Sequence, residues 1–378
     1  MTNSAVSQLS GHARLHHDVC FGQSNGKIIW QPRIQCWYSD KKRAGEPLPE
    51  KYQGMSMDEI FRSLGCSARL YRHFNPCYKR ILPAELKVSE KKTSTTDTEV
   101  TIETPAGCQK RILRSATDNP MRINIKWPIA DEEEMKVGIW IEENTNWKWD
   151  QDCYEKTLKS VGDLGAPTIY LPRHTIQDLY INTMGIDNAI FALMDYEGTC
   201  QAYFRALTDS QNRLIEKVVN PSPVEIINFG DNVHSGTLPP EYFNKYLLPA
   251  YHEHIDMLHS AGKFVCAHWD GDCKPLLPMA KETRLDGIEA ITPKPQGDVT
   301  LEETKEALGT DLFLLDGIPA VYFDTIFPEQ QLIDCTRKII DLFAPKLILG
   351  ISDEISSTGD IERVRIVKDI VDEFNASI

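Results

Sequence analysis

Lys263-Phe264-Val265-Cys266-Ala267-His268-Trp269-Asp270-Gly271-Asp272-Cys273 is the stretch that decides the fold. A short apolar run stops abruptly in a polar cluster and a glycine. A parallel strand buried on both faces looks like this where it leaves its sheet and exposes its last side chains. His268 and Asp270 are two apart, so both point to one side if the strand runs that far. A histidine and a carboxylate at such a place suit a metal site or acid–base chemistry. They equally suit a helix cap beside a hydrogen-bonded core histidine, and the pair alone does not decide.

The chain around this stretch alternates helix and strand from residue 131 onward. Helices are expected at 131–144, 150–161, 176–184, 187–195, 199–218 and 239–260, the last interrupted by Pro249. Strands are expected at 168–171, 224–229, 263–267, 287–291, 312–316 and 346–350, with a closing helix at 361–374. Repeated β-α units of this length imply a parallel sheet. No Gly-x-Gly-x-x-Gly follows the first strand, so a closed (β/α)8 TIM barrel of the α/β class is favoured over a dinucleotide-binding sheet. Residues 1–378 then form a single TIM-barrel domain with an N-terminal extension over residues 1–27.

The first third is less regular. Residues 28–38 are strand-like, and 41–54 read as a charged loop with Gly45, Pro47 and Pro49. A helix is expected at 56–64, with Ser56 and Glu59 at capping-box spacing. Thr98 to Thr104 alternates β-branched and polar residues, which predicts antiparallel strands. A small β-rich insertion is expected at 85–127, as structural cover or as a lid.

Composition narrows the function. The chain has 378 residues and a formal net charge of −14. With no basic excess to neutralise phosphates, nucleic acid and anionic membranes are disfavoured as partners. Ten scattered cysteines without a Cys-x-x-Cys pair read as reduced thiols in a cytoplasmic protein. The polar start lacks a signal peptide's apolar core, and no apolar run approaches the roughly 18 residues that would span a membrane.

In such barrels the working residues project from the C-terminal ends of the strands. Polar groups cluster there in four places: Asn228 and Asp231, His268 and Asp270, Asp316, and Asp353 and Glu354. Glu289 lies within its strand and could also face inward. Acids facing one mouth repel one another unless a cation or proton lies among them, which is a physical reason to expect a metal. One imidazole and two carboxylates suit Zn2+ with an open fourth position, and such a zinc favours an oxygen donor. Cys266, two residues before His268, reads as packing, whereas Cys273 stays open as a competing ligand.

Three segments carry a resemblance to the uroporphyrinogen decarboxylase superfamily. Lys42-Arg43-Ala44-Gly45-Glu46-Pro47-Leu48-Pro49-Glu50-Lys51-Tyr52 resembles that decarboxylase's Arg-Gln-Ala-Gly-Arg-Tyr-Leu-Pro-Glu-Tyr segment. Leu238-Pro239-Pro240-Glu241-Tyr242-Phe243, followed by Leu248-Pro249, is similar to the helix entry after the middle strand. His268-Trp269-Asp270-Gly271 paired with Leu349-Gly350-Ile351-Ser352-Asp353-Glu354 resembles the His-x-Cys-Gly and late Gly-Cys of the corrinoid-dependent methyltransferase branch, which bind zinc. The likeness covers most of residues 28–375 and is thin over the insertion.

The departures from that pattern carry information. The decarboxylase segment's two arginines correspond to Lys42 and Glu46, and a polycarboxylate site wants arginine forks. Glu46 therefore counts against decarboxylation of a porphyrinogen. Both cysteines of the zinc motif correspond to carboxylates, so the resemblance implies zinc on His268, Asp270 and Asp353, with Glu354 as third ligand if the register slips.

This pattern resembles the methyltransferase I subunit of O-demethylase systems. The implied reaction moves a methyl group from an O-methyl donor, above all a methoxylated aromatic, to Co(I) of a corrinoid, with zinc stabilising charge on the ether oxygen. Asn228, Asp231 and Glu289 are then candidates for catalytic or substrate-orienting roles. Trp37, Tyr38, Phe229, Trp269 and Tyr322, at or near predicted strand ends, either clamp a substrate ring or pack the rim. No Asp-x-His-x-x-Gly motif is present, so the corrinoid is expected on a partner protein docking transiently over the barrel mouth. Family likeness further suggests a homodimer. The competing readings are a metal-free decarboxylase of another substrate, with Asp231 or Asp270 shuttling a proton, and a corrinoid-binding module without chemistry of its own.

Overall fold

Seven short parallel strands form one sheet: β1 (Ile29–Trp30), β2 (Thr168–Leu171), β3 (Ile226–Val233), β4 (Phe264–Trp269), β5 (Gly287–Glu289), β6 (Phe313–Pro319) and β7 (Leu347–Ser352). Their spatial order is β1-β7-β6-β5-β4-β3-β2. The computed structural model describes residues 9–115 and 122–378; the first residues of the polar lead and positions 116–121 of the expected insertion lie outside them.

Residues 66–70 take the eighth position between β1 and β2. The Ser67 N–H donates to Trp30 O at 3.2 Å, and the Ala68 N–H donates to Leu164 O at 2.8 Å. The Ser67 hydroxyl adds a second bond to Leu164 O at 2.9 Å. Gly165 allows this approach, because a Cβ there would lie 2.3 Å from Ala68 O. The architecture is therefore the expected α/β, TIM-barrel-like one, with one stave made of irregular chain.

The strands are apolar because both faces are covered. β4, β6 and β7 are buried throughout. Ile29, Ile226, Phe264, Cys266, Phe313, Leu315 and Ile348 form one layer inside the barrel, closed from below by Val19 and Cys20 of the helix Gly11–Cys20. Side chains two apart share a face, so Phe264, Cys266 and His268 climb the same inner wall. The apolar layer thus ends where His268 begins.

Several expectations need correcting. The strand-like run 28–38 is strand only at Ile29–Trp30, and Gln35–Ala44 is a helix ending on Gly45 at φ +67°. Its aromatics suggested a strand, but tertiary packing, with Gln35 and Trp37 both buried, overrides that propensity. The expected irregularity at Pro249 is present: the helical run from Pro240 to Ser260 is wound as a π-helix over Phe243–Leu247, directly before the regular helix Leu248–Ser260 that carries Pro249 in its first turn.

The insertion is a four-stranded antiparallel sheet of Lys87–Lys92, Asp97–Thr104, Gly107–Ser115 and Arg122–Lys126. A separate antiparallel pair, Tyr78–Ile81 with Asn146–Trp149, frames it. Buried Val100, Gln109 and Leu113 mark its inner face. Gln109 Nε2 donates to Glu134 O of the helix Glu132–Asn144 at 2.7 Å.

Candidate active site

The C-terminal ends of the strands surround a network of opposite charges. Arg69, on the irregular stave, pairs with Glu289 of β5 and Asp316 of β6. Arg33, just past β1, lies 2.8 Å from Asp353 Oδ1, 3.6 Å from Glu354 Oε1 and 3.7 Å from Asp316 Oδ2. Asp316 has φ +83°, a strained value for a residue with a side chain, and it breaks the alternation after inward-facing Leu315. Gly350 of β7 makes room for this turn, since a Cβ there would lie 2.0 Å from Asp316 Oδ1 and 3.0 Å from Arg69 Nη2.

Glu289 organises the next layer. Its Oε2 accepts from the Tyr170 hydroxyl at 2.5 Å and lies 2.8 Å from His268 Nδ1. Burial alone would raise the Glu289 carboxyl, but Arg69, His268 and Arg33 outweigh it and hold it well below the usual range. Burial raises Asp316 against the pull of Arg69 and Arg33, and it raises Asp353 as well. Glu289 is thus the anion that orients His268, leaving Nε2 without a hydrogen bond in the described chain.

His268 lines a cavity of about 420 Å3 with Arg33, Arg72, Arg173, Tyr71, Tyr78, Tyr170, Asn75, Asn182, Asn232 and Glu354. Tyr71 and Tyr170 stack at 4.0 Å between ring centroids, and Arg72 lies 5.8 Å from the Tyr71 ring centroid. Arg173 Nε is buried without a hydrogen-bond partner among the described residues. The cavity therefore offers flat aromatic walls, guanidinium groups for an anion, and one imidazole held by a carboxylate.

The sequence-predicted residues divide between this site and other places. His268 and Glu289 touch, while Asp353 stands on Arg33 and Asp270 accepts from the Gly271 N–H at 2.7 Å. His268, Asp270 and Glu354 all act electrostatically on Asp353, so these groups share one neighbourhood. Among the described residues, however, no three His, Cys, Asp or Glu side chains converge as a metal site. The cation that the crowded acids require is supplied by Arg33 and Arg69. Glu354 accepts from the Cys36 N–H at 2.5 Å.

Asp231 belongs to a separate buried chain. Its Oδ2 lies 2.6 Å from His174 Nδ1 and accepts from the Tyr251 hydroxyl at 3.0 Å; His174 Nε2 lies 2.8 Å from His254 Nδ1. Asn228 is buried, and its Oδ1 has no hydrogen-bond partner among the described residues. None of the five predicted ring-clamping residues lines the cavity. Trp37 packs on Tyr52, Phe229 on His174 and Tyr251, Trp269 on Phe243, and Tyr322 on Phe327. The Tyr38 hydroxyl bonds Met55 O at 3.3 Å. Trp37, Phe229 and Trp269 are buried in the core, and Tyr38 and Tyr322 are half-buried against it.

Glu46 requires a correction too. It is exposed and paired with Lys41, away from the cavity, so it reverses no charge at a docking site. The guanidinium groups come instead from Arg33, Arg72 and Arg173. Their signal was present in the sequence: Arg33 and Arg173 follow short apolar strands, as the acids do, and the same strand-end logic would have found them.

The uroporphyrinogen decarboxylase (URO-D) family model matches residues 179–374. No curated protein matches the sequence. Among solved structures, a methyltransferase from Methanosarcina mazei aligns over 96% of this chain and 98% of its own, with a TM-score of 0.57 and 12% identity. A type I 3-dehydroquinate dehydratase from Clostridium difficile aligns over 64% of this chain and 79% of its own, with a TM-score of 0.33 and 12% identity. A D-psicose 3-epimerase from Clostridium cellulolyticum H10 aligns over 61% and 84%, with a TM-score of 0.34 and 10% identity. At 12% identity the first of these likenesses speaks to the fold.

Proposed function

Given that the chain belongs to the uroporphyrinogen decarboxylase family, we propose that it is a methyltransferase acting on a methoxylated aromatic acid and passing the methyl group to Co(I) of a corrinoid carried by a partner protein. The observation that carries this reading is the cavity at the strand ends, where tyrosine rings, guanidinium groups and the Glu289-held His268 meet. A benzoate fits those walls: its ring lies along Tyr71 and Tyr170, and its carboxylate meets Arg33, Arg72 or Arg173. The partner docks over the barrel mouth.

Methyl transfer breaks the bond between the methyl carbon and the ether oxygen, and the electron pair stays on oxygen. The corrinoid's Co(I) supplies the pair that takes the carbon. His268, held by Glu289, is placed to give a proton to the departing phenolate and to recover it from solvent. Arginines fix the acid, so the methoxy group is presented in one orientation.

The described residues do not fit a zinc ion in this arrangement. His268 offers Nε2, and its carboxylate partner is typical of metal-bound histidines. Asp353, however, would have to leave Arg33, and Asp270 would have to leave the Gly271 N–H. Zinc takes no part in the transfer from ether oxygen to Co(I). Metal analysis of purified protein before and after chelation tests this misfit: zinc bound one per chain and lost in Asp270→Ala or Asp353→Ala would overturn it.

Methyl transfer to free cob(I)alamin tests the main reading, with methoxybenzoates, methoxybenzene, methanol and a methyl thioether as donors. Methoxybenzoate is expected to react fastest, and His268→Gln is expected to slow it about 10²- to 10⁴-fold. Absence of cobalamin methylation from every donor would sink the proposal. The same guanidinium groups also favour a second reading, metal-independent decarboxylation of a small aromatic acid. Release of CO2 from a benzoate without methyl transfer would establish that alternative.

A further inference from the structure

A second cavity, of about 430 Å3, lies between the β-rich insertion and the helices beside the barrel. Its walls are largely apolar, with Leu86, Val88 and Ile102 on the insertion side and Ile141, Trp147 and Leu207 opposite. Most polar groups around it are already satisfied. Asp178 accepts from Asn182 at 2.8 Å and from the Tyr203 hydroxyl at 2.7 Å. Glu142 is paired with Arg80, and Gln109 Nε2 is bonded to Glu134 O.

Two groups at this cavity are not satisfied. Arg111 Nε is buried and without a hydrogen-bond partner among the described residues. Gln211 Nε2 donates to Pro172 O at 3.2 Å and to Arg173 O at 2.8 Å, which fixes the orientation of the amide. Its Oε1 is left buried with no donor among the described residues. A cationic donor and an amide acceptor facing one apolar space cost free energy until something meets them.

We propose that this cavity binds a small amphipathic anion, a hydroxylated carboxylate whose carboxylate meets Arg111, whose apolar body lies on Ile102 and Trp147, and whose hydroxyl donates to Gln211 Oε1. Its volume is in the range of small-ligand pockets, roughly 300–1,000 Å3. A cation is disfavoured because both nearby carboxyls already have partners. The cavity shares Pro172 and Asn182 with the barrel-mouth cavity, so the two sites have a common wall. The inference does not depend on methyl transfer.

The probe is 3-(4-hydroxyphenyl)propanoate, titrated against the tryptophan emission of the full chain. A saturable change that disappears in Trp147→Phe places the probe in this cavity. Arg111→Gln is expected to weaken binding by about tenfold or more, as loss of a charge-assisted bond does, and the probe's neutral carboxamide should bind comparably weakly. Arg111→Lys should retain part of the affinity, which separates loss of charge from misfolding. Arg33→Gln, in the other cavity, should leave the titration unchanged. An unaltered affinity in Arg111→Gln, an emission change that survives Trp147→Phe, or a loss in Arg33→Gln would each overturn the proposal.

Discussion

Arg69 joins Glu289 and Asp316 through one guanidinium at the centre of the barrel, and all three side chains are buried. Removing the cation would leave two carboxylates without their main counter-charge in a low-dielectric interior. Arg69→Met is therefore expected to destabilise the protein by about 3–5 kcal/mol, as breaking a buried ion pair does. Urea unfolding checks this through a lower midpoint at unchanged slope; a midpoint equal to wild type would show the pair to be dispensable. Glu289 and His268 were legible in the sequence because they lie on well-formed apolar strands whose parity fixes their direction. Arg69 was not, because Cys66-Ser67-Ala68-Arg69-Leu70 has no β-branched residue and carries small side chains. Nothing local marks it as a stave, and only packing against β1 and the chain before β2 makes it one.

β7 shows the same limit at the level of an element. Its apolar run identified the strand, and Gly350 entered only as part of the segment resembling the late Gly-Cys motif. In the barrel Gly350 is the gap through which Asp316 and Arg69 meet. A methyl group there forces a buried, ion-paired side chain to move, so Gly350→Ala is expected to cost about 1–3 kcal/mol, the usual range for overpacking. It should also lower activity with methoxybenzoate, because Arg33 and His268 are tied to the same network. Thermal unfolding measures the first effect and the cob(I)alamin assay the second; a variant with wild-type values in both would refute this role. The β insertion was legible as alternation, Thr98 to Thr104 above all, and it forms the expected antiparallel sheet. Its contribution to a cavity was not legible, because Arg111 and Gln211 are a hundred positions apart in sequence and meet only through folding.

For the molecule as a whole, two opposed groups of buried residues shape stability below neutral pH, beside Glu289, whose lowered carboxyl adds stability that is lost only as pH falls below the ordinary carboxylate range. His12, His16 and His254 are all lowered, chiefly by burial, and His16 is lowered to about 3. The unfolded chain binds protons at these histidines from about pH 6.5 downward while the fold does not, so their contribution is lost as pH falls. Asp178, Asp316, Asp353 and Glu142 are raised, again chiefly by burial. The fold holds protons at these carboxyls before the unfolded chain does, so their contribution grows as pH falls toward the ordinary carboxylate range. The two sets overlap and offset one another, and the wild-type curve there should be flatter than either set alone would make it. His16→Gln separates them. His16 Nδ1 accepts from the Ala166 N–H at 3.3 Å, a bond that the glutamine oxygen can replace, and glutamine does not titrate. Stability of wild type relative to the variant should be constant above pH 6.5. Below it, the difference should fall by up to about 1.4 kcal/mol per pH unit, the linkage slope of a single group, down toward pH 3. Urea unfolding of both proteins from pH 4 to 8 measures that difference, and parallel curves across the window would mean that His16 is protonated in the fold as readily as out of it.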